Sequence, residues 1–187
     1  EGVVHAAIVR SPHGHARIDA IDVSDAVAAP GVLAVLTGAY QAAAGIQPIP
    51  PYERANPHTG EAFAYPDQHP LAVDTVRYGG QPVALVVAQS REEARDAAEL
   101  VSVDYISLPA ITTIEAARED PANICLQWST GDAAAVEAGV QAAEHVTSMS
   151  FHNHRIVTNP MEPRGGVGSF DPESGRYTLH VSAQSLH

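Results

Sequence analysis

The chain has 187 residues, 45% of them hydrophobic and 17% charged, enough for one large domain or two small ones with a real core. Its formal net charge is −12 and all ten of its cationic side chains are arginine; with no basic run to displace counterions, nucleic-acid binding is not expected. No segment approaches the roughly 20 apolar residues that cross a bilayer, and the single cysteine, Cys125, excludes an internal disulfide or a four-thiolate metal site built from this chain alone.

Residues 3–10 read as a strand, followed by the loop Ser11-Pro12-His13-Gly14-His15 and a second strand within 16–23. Ser24 is expected to cap a short helix that Pro30-Gly31 stops, and 32–36 forms a further strand. The proline-rich stretch 46–70 has little periodicity and reads as a long ordered loop. Residues 76–117 then read as strand, helix, strand. Pro82 opens the apolar run 83–88, suited to a strand buried on both faces. Ser90-Arg91-Glu92-Glu93 sets a hydroxyl three residues before a carboxylate, the capping-box start of a helix. Ala94, Ala97, Ala98 and Val101 give that helix a stripe of small apolar residues able to lie close on a sheet, and 101–105 returns as a strand.

Arg118-Glu119-Asp120-Pro121 is a charged break, and the domain boundary is placed there: 1–120 and 121–187. Cys125 reads as a small apolar residue inside a strand-like run over 123–126. Asp132 caps an Ala-rich helix from 133 to about 143, 145–156 looks extended, and 166–170 with 177–183 forms a hairpin around Asp171-Pro172-Glu173-Ser174-Gly175. The chain opens at Glu1 without methionine and ends directly after a strand, as expected of a piece cut from a longer polypeptide whose leader, if any, is missing.

The motifs that suggest chemistry are weak. Gly79-Gly80 and Gly165-Gly166-Val167-Gly168 precede strands rather than open helices, so they are expected to be turns or bulges, not pyrophosphate loops. His152 and His154, two apart on an extended run, could chelate a metal such as zinc but lack a nearby third ligand; the expected reading is a polar strand face. His13 and His15 are expected to pack or cap a turn. In the last strand Tyr177, Leu179, Val181 and Ala183 form an apolar face expected to enter a core. Thr178, His180, Ser182 and Gln184 form the polar face, which either meets water or ends with the Gln184 carboxamide in a pocket.

Val76-Arg77-Tyr78-Gly79-Gly80-Gln81-Pro82-Val83-Ala84, the 91–98 helix and Val103-Asp104-Tyr105-Ile106-Ser107-Leu108-Pro109-Ala110 closely resemble the a/b hammerhead domain of molybdenum hydroxylase large subunits, the xanthine dehydrogenase, aldehyde oxidase and aerobic carbon monoxide dehydrogenase family. His5-Ala6-Ala7-Ile8-Val9-Arg10-Ser11-Pro12-His13, Gly31-Val32-Leu33-Ala34-Val35-Leu36-Thr37-Gly38, Asn159-Pro160-Met161-Glu162-Pro163-Arg164-Gly165 and Gln184-Ser185-Leu186-His187 match further, in the family's order. The resemblance implies an α/β (α+β) fold: a hammerhead domain over 1–120, then the N-terminal part of a molybdopterin-binding domain over 121–187.

It implies an oxidoreductase that binds molybdopterin cytosine dinucleotide and hydroxylates an aldehyde, N-heterocycle or similar small molecule with water as the oxygen source. The partners it implies are a medium subunit carrying FAD and a small subunit carrying two [2Fe–2S] clusters, in a hetero-oligomer. Gln184 matches the family glutamine whose amide hydrogen-bonds near the molybdenum oxo group. Glu162 matches a motif glutamate with an expected structural role beside Arg164. The family's catalytic glutamate, Gly-Gly-Gly-Phe-Gly cofactor loop and active-site loop have no match here; in family order they lie beyond His187. No catalytic residue is therefore expected in this chain, and alone it is expected to be inactive. Leu186 stands where carbon monoxide enzymes typically have proline, which weakens that reading. A cytoplasmic location is expected, with periplasmic export left open. The alternative from another class is a non-catalytic scaffold or interaction fragment lacking the cofactor loop and catalytic glutamate.

Overall fold

The computed structural model describes residues 2–50, 55, 60, 62, 66–119, 130–154, 159, 161–163 and 165–183. Cys125 and its strand-like run, Arg164 and Gln184 lie outside them, as does most of 51–65. The chain divides into two compact units, Glu1–Gly131 and Asp132–His187. Its fold is mixed α and β, with every strand pairing antiparallel. No helix among the described residues is long and apolar enough to cross a membrane.

In the first unit, β1 (His5–Arg10), β5 (Pro82–Ala88) and β3 (Val32–Thr37) form one sheet in the order β1-β5-β3. A second sheet has the order β4-β2-β6, from β4 (Thr75–Val76), β2 (Ala16–Asp22) and β6 (Ser102–Ser107). The continuous apolar run 83–88 is explained by this arrangement. As the central strand of its sheet, β5 buries Val83 on one face and Ala84, Val86 and Ala88 on the other. Val83 joins Ala16, Ala72 and Val76 in the core, with Val9, Ile18, Val103 and Tyr105 packed around it, so both sheets contribute. Helix α3 (Arg91–Glu99) lies on β1 and β5 and buries Ala94 and Ala97 against them. Small side chains at those two positions let the helix approach the sheet closely.

Local chemistry fixes the helix ends. The capping box of α3 is complete: the Ser90 hydroxyl accepts from Glu93 N–H at 3.2 Å, and the Glu93 carboxylate accepts from Ser90 N–H at 2.9 Å. That carboxylate lies over Gly31, whose φ of +74° and missing Cβ both matter, since a Cβ would overlap the Glu93 carboxyl group. Helix α1 (Ser24–Ala28) departs from the expected cap. Its N-cap is Val23, which has no side chain to cap with, and Ser24 is the first helical residue. The Asp22 carboxylate instead accepts from Ser24 N–H at 2.9 Å and from its hydroxyl at 2.6 Å, satisfying the first orphan N–H of the helix from two residues upstream and engaging the hydroxyl that was expected to cap it.

Two short helices carry no sequence signal strong enough to announce them. Helix α2 (Gly38–Ala43) is capped by the Thr37 hydroxyl, which accepts from Tyr40 N–H at 3.4 Å. Its buried Gln41 pairs with Leu71 like a strand residue, Nε2 donating to Leu71 O at 2.8 Å and Oε1 accepting from Leu71 N–H at 3.1 Å. Within the long loop thus closed, Ile49 bridges Gln68 and Ala55 bridges Ala62. Helix α4 (Ile114–Glu119) starts at Thr113, whose hydroxyl accepts from Ala116 N–H.

The second unit contains α5 (Ala133–Ala142) and the hairpin of β7 (Gly166–Asp171) and β8 (Arg176–Val181). Asp132 caps α5 as expected, its Oδ1 accepting from Ala135 N–H at 2.9 Å. The described residues of 145–154, expected to be extended, carry neither helix nor strand. Every described residue of this unit is exposed.

Candidate functional site

The hairpin carries the polar face singled out in the sequence. The register pairs Val167 with His180, Ser169 with Thr178 and Asp171 with Arg176 on one side, and Gly166 with Val181, Gly168 with Leu179 and Phe170 with Tyr177 on the other. Within β8, which ends at Val181, the expected alternation holds for Tyr177, Leu179 and Val181 on one face and Thr178 and His180 on the other; Ser182 and Ala183 lie past the strand and Gln184 outside the described residues. The turn is tied by Asp171, whose carboxylate accepts from the Ser174 hydroxyl and from Glu173 N–H; these bonds hold its carboxyl below the usual carboxylate range. Gly175, at φ +68°, supplies the left-handed residue that returns the chain into β8.

The apolar face is not part of a core within this unit. Tyr177 is 79% and Leu179 68% exposed, and Phe170 meets Tyr177 with ring centroids 4.6 Å apart. A two-stranded hairpin has no layer of its own to lay across that face, so alternation alone cannot bury it.

The polar face continues past β8. Ser182 N–H donates to Gly165 O at 3.2 Å, and the Ser182 hydroxyl accepts from Gly165 N–H at 3.5 Å, tying the strand exit to the glycine run. Gly166 and Gly168 lie inside β7, so the run enters a strand and opens no helix, which removes a pyrophosphate-loop role. Thr178 and His180 share one side of β8; Gln184 lies outside the described residues. Glu162 is exposed, and its expected neighbour Arg164 lies outside the described residues as well.

His13 and His15 pack and cap as expected, while His152 and His154 are exposed and lie in no strand. The His13 ring packs against Tyr105 at a 48° tilt with centroids 4.7 Å apart, and His15 Nδ1 lies 2.7 Å from Pro109 O, which fixes Nδ1 as the donor. Buried Ser11, unremarkable in sequence, accepts from His13 N–H at 3.0 Å and hydrogen-bonds the Tyr105 hydroxyl. Burial nonetheless pushes the Tyr105 phenol up from its ordinary range, against the Ser11 hydrogen bond. His152 and His154 stack with ring centroids 4.5 Å apart, and no group of three His, Cys, Asp or Glu gathers around a metal position among the described residues.

Comparison with known proteins covers the whole chain. The family model for aldehyde oxidase and xanthine dehydrogenase, a/b hammerhead domain, matches residues 1–109, and the molybdopterin cofactor-binding domain matches 116–187. The nicotine 6-hydroxylase large subunit of Paenarthrobacter nicotinovorans is 36% identical over all of this chain and 23% of its own length. The carbon monoxide dehydrogenase large chain of Afipia carboxidovorans is 35% identical over all of this chain and 24% of its own. The crystal structure of quinoline 2-oxidoreductase from Pseudomonas putida 86 superposes with a TM-score of 0.79 at 36% identity, covering 98% of this chain and 23% of that one. The chain thus spans about a quarter of the length of these relatives.

Proposed function

The chain belongs to the aldehyde oxidase and xanthine dehydrogenase family, and we propose that it forms the hammerhead domain and the start of the molybdopterin-binding domain, meeting near residue 120, in the large subunit of a molybdenum hydroxylase. The observation that carries this reading is the match of both domain models in order along the chain; it leaves the scaffold alternative without support. The complete protein hydroxylates a small aldehyde, N-heterocycle or similar molecule with water as the oxygen source. The cofactor is molybdopterin in its cytosine dinucleotide form, and partner subunits carry FAD and [2Fe–2S] clusters.

The donor set of the hairpin suits such a cofactor. Thr178, His180 and Ser182 put hydroxyl and imidazole groups on one face of β8 and its exit, able to hydrogen-bond the polar atoms of a pterin. When bound, the molybdopterin cofactor supplies a two-electron redox centre. Gln184, two residues on from Ser182 in sequence, would help hold that cofactor through its carboxamide, which can both donate and accept a hydrogen bond and so would orient it without exchanging a proton. The tie between Ser182 and Gly165 holds the exit of the strand. Since an amide does not titrate in the physiological range, this contribution should be independent of pH.

Gln184→Ala in the complete, assembled enzyme tests the assignment. Subunit composition and molybdenum content should be unchanged while kcat falls by roughly 10- to 100-fold, as when a group supporting a metal centre is removed. Unchanged kinetics would remove Gln184 from the cofactor site.

A further inference from the structure

We draw no further inference here: the strongest candidate, the open groove that Ile8 on the outer edge of β1 forms with Arg95 and Glu99 of α3, is an unpartnered sheet edge, and nothing in the structure shows what covers it.

Discussion

Gly31 and Glu93 show how one residue can hold two elements. Gly31 begins the approach to β3 in a left-handed conformation, Gln89 N–H donates to its carbonyl at 2.9 Å, and the Glu93 carboxylate lies over its Cα. Gly31→Ala should therefore cost about 1–3 kcal/mol, from strained φ and from displacing the carboxylate that completes the α3 cap. In a Glu93→Ala background the same change should cost less, because only the backbone strain remains. Equilibrium denaturation of the four members of that cycle measures the coupling, and full additivity would refute it. At Asp22 the effect depends on pH. Hydrogen bonds from the Ser24 hydroxyl and N–H lower its folded carboxyl pKa, against a small opposing effect of burial. A lowered folded pKa means a contribution present above the unfolded value of about 3.9 and lost as pH falls through the folded value. Amide exchange at Ser24 should thus rise in Asp22→Asn relative to the native residue near neutrality, and the two should converge in strong acid.

Elements were legible where sequence signals act locally. The Ser90 box, the Asp132 cap and the apolar run 83–88 each name a partner within a few residues, and each appears in the structure. What the sequence hid depends on distant partners. Gln41 reads as an ordinary helical glutamine, yet its amide closes the long loop through both backbone groups of Leu71. Gln41→Leu leaves those two groups unpaired and should cost roughly 2–4 kcal/mol, one desolvated group's penalty for each; a loss below 0.5 kcal/mol in equilibrium denaturation, about the scatter of neutral surface changes, would deny the closure. Val86 is fully buried at the centre of the first sheet, and Val86→Ala should cost about 2 kcal/mol by removing two methyl groups from a packed interior. The apolar face of β8 was legible as a face but not as exposed, since alternation reports which residues share a side and says nothing of what covers them.

At the scale of the whole molecule, fold and chemistry separate. The first unit builds a two-sheet core from small and β-branched residues and uses its polar groups to close turns: His13, His15 and Ser11 all end in packing or backbone bonds. For the polar side of the last strand, Thr178, His180, Ser182 and Gln184, the residues alone could not choose between water and a pocket. The family match assigns 116–187 to a molybdopterin cofactor-binding domain, which supports the proposal that Gln184 faces a pocket. The most direct measurement is metal and pterin analysis of the complete large subunit purified with its partners. Stoichiometric molybdenum with a pterin dinucleotide, retained in Gln184→Ala, is the predicted result; a fully assembled protein with neither molybdenum nor pterin would contradict the account.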